Sequence, residues 1–228
     1  MSAILASTII DKAAKLLHDI SNVKWTRSEL LGWINDAQRQ IVIMSPNATN
    51  KVSVVKLNSG TRQALPSDGW TLLEVVRYMG TTGTTPGRAV RLASREQLDS
   101  FNPDWHSDVP TAIPRHYVFD LQDQTAFFVY PPNTGTGYVE INYSPDPADL
   151  TSESSTIYLN KIFETVILDY ILYRACSKNS DYAPNAQLAV AYYTAFTTAM
   201  GQKAESEAAN SPNQQFAPKD PKNPGSQS

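Results

Sequence analysis

The side chains with which this 228-residue chain could do chemistry are three histidines, one cysteine and several closely spaced carboxylates. His106 and His116 bracket a segment that carries Asp104 and Asp108, and imidazole with carboxylate is a reasonable donor set for a divalent metal. No ligand spacing accompanies them, and a solvated loop accounts for the same residues. Asp120 and Asp123, and likewise Asp146 and Asp149, are close enough in sequence for paired acid–base work. Each pair falls among turn-forming residues, where Asp is favoured by its bonds to neighbouring backbone. His18 falls on a helical stretch. Cys176 sits in an apolar helical run, where a thiol behaves as a small hydrophobe. A single cysteine excludes an intramolecular disulfide and a cysteine-built zinc site.

The strings for a nucleophile elbow, a phosphate loop, a zinc-protease helix or a dinucleotide fingerprint are missing from the sequence. Gly80 to Gly87 is glycine-rich but lacks the lysine and the following helix of a phosphate loop, so it reads as a hairpin loop. Trp25, Trp33, Trp70 and Trp105 have no basic residues interleaved as a base-stacking surface would. They read as core and interface anchors. No catalytic, cofactor-binding or metal-ligating residue is assigned, and the chain points away from an enzyme.

The elements that carry these residues follow from hydrophobic period. Leu5, Ile9, Ala13, Leu16, Leu17 and Ile20 recur at steps of three and four, which predicts a helix. Thr26-Arg27-Ser28-Glu29 is a capping box, with Trp25 placed to staple onto Leu30 or Leu31. Leu30, Ile34, Ala37, Ile41 and Met44 continue that second helix until Pro46 stops it. Residues 1–46 therefore read as a helical hairpin with a loop of about five residues.

Residues 47–151 change period. Short strands are predicted around Val52–Leu57, Thr61–Leu65 and Leu72–Tyr78. A hairpin pairs His116–Asp120 with Thr125–Tyr130, and Val139, Ile141 and Tyr143 alternate with polar residues in a last strand. Ser94 to Phe101 reads as one short helix capped by Ser94. From Thr156 the helical period returns, and Ile162 to Ala175 is apolar on several sides. A last helix runs from about Pro184 to about Ala208, with many small residues. The prediction is α+β: a four-helix assembly from 1–46 and 152–208, an inserted small antiparallel β domain at 47–151, and an extended tail at 209–228. That tail has one apolar anchor, Phe216, and should be disordered when alone.

Composition bounds the function. Charged residues are 18% and hydrophobic residues 41%, with 19 basic and 22 acidic side chains. A net charge of −3 argues against a protein whose main task is gripping DNA phosphates. The N-terminus does not read as a signal peptide, and the longest apolar run, Leu188 to Tyr193, is far short of the ~20 residues needed to span a membrane.

Three stretches together resemble a known family: DISNVKWTRSELLGWINDAQRQIV (19–42), QALPSDGWTLLEVVRYMG (63–80) with FFVYPPNTGTGYVEINYSPDPADL (127–150), and IYLNKIFETVILDYILYRACSKNSDYAPNAQLAVAYYTAF (157–196). This pattern resembles the head-to-tail adaptor (connector) proteins of tailed bacteriophages. The WTRSELLGWINDAQRQI and LYRACSK strings carry it most specifically. The resemblance implies a structural virion protein of the neck or tail, assembled in the host cytoplasm. It implies a homo-oligomeric ring, expected twelve-membered, between the portal protein and the tail nozzle or tube protein. Genome DNA would pass through the ring without sequence-specific binding, and no membrane or cofactor is involved. The C-terminal extension would reach the portal, with Phe216, Pro218, Pro221 and Pro224 as partner-binding residues. Asp104, Asp108, Asp120 and Asp123 are expected to line part of the channel. Two other readings stay open here: another neck or tail-completion protein, and a ligand-binding or hydrolytic domain using His106, His116 and Asp120.

Overall fold

The computed structural model describes residues 4–119 and 122–209. Its helices are α1 (Ala6–Leu16), α2 (Arg27–Met44), α3 (Arg95–Phe101), α4 (Glu164–Lys178) and α5 (Ala183–Ala209). Its strands are β1 (Lys51–Lys56), β2 (Ser59–Ala64), β3 (Gly69–Tyr78), β4 (Arg91–Leu92), β5 (His116–Phe119), β6 (Ala126–Thr134) and β7 (Tyr138–Pro145). The architecture is the α+β one that the sequence predicts, with antiparallel β structure inserted between N-terminal and C-terminal helices. The tail from 210 onward lies outside the described residues.

Helix α1 buries Ala6, Ile9, Ile10, Ala13 and Ala14. Leu5 gives it no side-chain cap. Instead the Ala6 and Ser7 amides donate to the Ser155 and Glu153 carbonyls at 3.0 and 2.9 Å, so the returning chain satisfies its first turn. Helix α2 begins as predicted, with the Thr26 hydroxyl accepting the Glu29 amide at 3.3 Å. Only half of the capping box forms, because the Glu29 carboxylate pairs with Lys178. Trp25 packs on Trp33, with ring centroids 5.7 Å apart.

The connection between α1 and α2 is longer than expected, spanning 17–26. His18 and Asn22 take left-handed backbone there, with φ of 53° and 52°. Asp19 explains how so long a turn is ordered. Its carboxylate accepts the amides of Val23, Lys24 and Trp25 at 3.0, 2.9 and 2.8 Å. His18 therefore sits in this turn and not on the helix.

Helix α4 is the hub. It buries Ile167, Tyr170, Ile171, Leu172, Ala175 and Cys176 and packs against α1, α2 and α5. It starts later than the apolar period suggests, because the chain first runs through a 3-10 turn at Lys161–Phe163 capped by Asn160. Polar residues of α2 dock the chain that returns to α4. Asn35 exchanges two hydrogen bonds with the Leu150 backbone, at 3.2 and 2.9 Å. Gln38 accepts the Tyr158 amide at 2.8 Å, and Arg39 pairs with Asp149.

The strands form two sheets, ordered β1-β7-β3 and β2-β6-β5-β4. All pairings are antiparallel except the two-residue β4, which runs parallel to β5. Ser94 precedes α3 but makes no side-chain cap bond, contrary to expectation. Leu72, Val75, Phe127, Val129, Val139, Ile141 and Tyr143 form the core between these strands. A separate cluster joins α1, α2, α4 and α5.

Candidate functional site: two unpaired surfaces

Helix α5 is about 40 Å long at 1.5 Å per residue. Its buried row is Ala189, Phe196 and Met200, which faces α4. Phe196 meets Tyr170 at 5.3 Å and Tyr193 meets Tyr173 at 5.0 Å, ring centre to ring centre. The opposite side exposes Leu188, Val190, Ala191, Thr194, Ala195 and Thr198. Residues 182–202 contain no charged side chain. A helix with one face in water normally places charges there. This face is as plain as a helix–helix contact.

The second surface lies on the β4–β5 edge. Helix α3 buries none of its residues. It is held by Trp105, which is fully buried and donates its indole N–H to Asp99 at 2.8 Å, and by Arg95 over the Phe128 ring. His106 stacks on Trp105 at 3.7 Å and shares a 2.8 Å hydrogen bond between Nδ1 and the Thr61 hydroxyl. Between α3 and the sheet lies an open groove of about 740 Å³, lined by Ala93, Glu96, Leu98, Phe101, His116 and Tyr130. His116 is half-buried against Tyr130. Burial pushes its pKa below the ordinary imidazole value, and Arg88, Arg91 and Arg115 push it further the same way.

The sequence-predicted polar residues do not converge. His106 is held by Trp105 and the Thr61 hydroxyl, whereas His116 stacks on Tyr130. Asp108 accepts from Asn102 at 2.7 Å, and Asp123 pairs with Arg62 at 2.7 Å while accepting the Thr125 amide and hydroxyl. Asp149 is taken by Arg39. Asp104 is exposed, and Asp120 lies outside the described residues. Among the described residues no group of three His, Cys, Asp or Glu is placed to hold a metal. The Cys176 thiol is buried, which raises its pKa. The Gly80 to Gly87 segment is a loop closed by the Gly87 amide on the Tyr78 carbonyl at 2.7 Å. Phe216, Pro218, Pro221 and Pro224 lie outside the described residues. No helix among the described residues is long and apolar enough to cross a membrane.

Neither surface was assigned from the sequence. The uncharged run at 182–202 was legible there and would have flagged α5. The arginine cluster was not, because Arg115 joins Arg88 and Arg91 only through the β4–β5 pairing.

A comparison with known families matches residues 4–216 to the family model described as SU10 adaptor protein. No curated protein matches the chain.

Proposed function

The chain belongs to the SU10 adaptor family, a structural and non-catalytic family of head-to-tail connectors, and from that premise we propose a specific place for it in the particle. It forms a closed ring, expected to hold twelve copies, docked beneath the portal protein and above the tail nozzle or tube protein in the virion neck. The ring makes part of the channel through which genome DNA passes. The match over 4–216 carries this reading, because it takes in both the helices and the β insertion. The plain face of α5 supports it, since a ring of identical subunits is closed by heterologous contacts that must bury such faces. The net charge of −3 suits a channel that DNA crosses without sticking.

In this reading the chain divides into a helical domain (1–46 with 152–208), a β domain (47–151) and a portal-reaching extension (209–228). Phe216, Pro218, Pro221 and Pro224 are the proposed portal contacts. Of the four channel aspartates expected from sequence, Asp108 and Asp123 have structural partners, which leaves Asp104 as the described carboxylate best suited to the lumen.

Electron microscopy of the purified protein with its portal tests the reading. A ring capping the portal is expected. Wild-type protein that joins the tail but never contacts the portal overturns it. Deleting 211–228 should leave melting unchanged and weaken portal docking, and docking at wild-type affinity rejects the role given to the extension.

A further inference from the structure

The chain has nine arginines. Arg27, Arg39, Arg62, Arg77, Arg95 and Arg174 each meet a carboxylate. Arg88, Arg91 and Arg115 are exposed and meet none among the described residues. The topology gathers these three. Arg91 stands opposite His116 in the β4–β5 register, and its amide donates to the Arg115 carbonyl at 3.1 Å. Arg88 sits just before β4, where its carbonyl accepts the Tyr78 amide at 2.9 Å. Like charges brought together without a counter-charge repel one another in the isolated subunit, and an anionic partner removes that repulsion.

A second observation says what kind of anion. The arginines lie within electrostatic reach of His116, which is paired with Arg91 in the strand register and lines the groove together with Leu98, Phe101 and Tyr130. Large apolar side chains stand in water in this same stretch of chain: Phe101 is 94% exposed, Val109 82% and Leu92 64%. Helix α3, one wall of the groove, buries no side chain of its own, although so short a helix gains little from its own hydrogen bonds. A phosphate backbone would answer the charges and leave the groove and Phe101 in water. An acidic protein segment with one apolar anchor answers both, and arginine beside aromatic residues is the usual make-up of protein-interface hot spots. Among the described residues Glu96 is the one carboxylate lining the groove, against three arginines acting on its His116.

We propose that the β4–β5 edge and the α3 groove dock an acidic protein segment bearing one aromatic or large aliphatic anchor. The anchor fills the groove, and its flanking carboxylates meet Arg88, Arg91 and Arg115. This deepens the adaptor reading by giving the chemistry of one partner, and rests on it only for which neighbour in the particle supplies the segment.

The test uses the full chain and a labelled peptide of about twelve residues with four glutamates around a single phenylalanine. Fluorescence polarisation at low salt should show binding that weakens about tenfold or more in R88E/R91E/R115E. A similar loss is expected when the peptide phenylalanine becomes serine. A peptide with lysines for glutamates should bind the triple variant better than wild type, which shows that the variant is folded and that charge is read. No binding of the acidic peptide to wild type overturns the proposal. So does unchanged binding by the triple variant. A DNA duplex bound more tightly than the peptide, and lost in the same variant, makes the edge a nucleic-acid surface and overturns it as well. Loss of self-association in the variant makes the edge a contact between copies and likewise overturns the proposal. Portal docking of the triple variant separates the two ideas: lost peptide binding with intact docking supports both. A wild type that binds peptide but never docks on the portal overturns the adaptor reading alone.

Discussion

The helical part and the β4–β5 edge treat charge in opposite ways. Around α1, α2 and α4, every arginine is paired with at least one carboxylate from another element or connection: Arg27 with Asp11 and Glu153, Arg39 with Asp149 besides its helix neighbour Asp36, Arg174 with Asp36. At the β4–β5 edge, Arg88, Arg91 and Arg115 are left together without carboxylates among the described residues. Apolar side chains divide the same way. Phe196 is fully buried on α5, whereas Phe101 on α3 is almost fully exposed. Groups whose partners are inside the chain serve its own fold. Groups of the same chemistry without such partners serve contacts made elsewhere. Paired substitutions, one in each region, put that division at risk.

The two phenylalanines give the largest contrast. Phe196→Ala should cost about 3–5 kcal/mol, since it removes the ring that joins α5 to Tyr170 and leaves a cavity. Phe101→Ala should change stability by no more than about 0.5 kcal/mol. Urea unfolding of both variants decides it, and equal losses would erase the distinction between the regions. The helix starts come next. Thr26→Ala should cost about 1 kcal/mol, because a cap bond to the Glu29 amide is lost. Ser94→Ala loses no cap bond and should stay within about 0.5 kcal/mol.

The arginines follow. Arg27→Met gives up two partly exposed ion pairs, so thermal unfolding should show a loss of about 0.5–1 kcal/mol. Arg115→Met should show no loss, or a small gain as repulsion around His116 falls. A clear destabilisation there would mean that Arg115 has a structural duty in the isolated fold.

Titration sharpens the same contrast in two pH windows. The Asp19 carboxyl lies below the usual carboxylate range, chiefly because the Trp25 amide donates to it, aided by the amides of Val23 and Lys24. Its folded value is depressed, so its contribution is present above about pH 4 and is lost as pH falls through the folded value. His116 is also depressed, by burial first and then by the three arginines. Its neutral form is favoured in the fold, so its contribution is present above about pH 6.5 and declines as pH falls through the folded value. His116→Gln should flatten the stability profile just below neutrality, and Asp19→Asn should flatten it only in acid. NMR titration of Arg115→Met should show the His116 imidazole moving upward, with burial holding it still below its ordinary value. An unmoved His116 would deny the arginines their place around it.

Much of the scaffold was legible in the residues themselves. The Thr26 cap, the alternation through Val139, Ile141 and Tyr143, the all-round apolarity of α4 and the span of α5 are local patterns. Local sterics and hydrophobic period encode them within a few residues of chain, so they can be read without knowing any tertiary contact. The strings that carry the family resemblance belong to the same level, and so does the absence of catalytic motifs. Other features arose only from long-range pairing. The turn after α1 is ordered by Asp19 reaching forward to three amides, a geometry that hydrophobic period does not encode. Asn35, Gln38 and Arg39 look like a solvent face of α2, yet they hold the chain returning from β7. Only the folded chain sorts arginines of identical chemistry into those with a carboxylate in reach and those without. Charge is a property of the residue, but charge balance depends on distances that the tertiary structure alone sets.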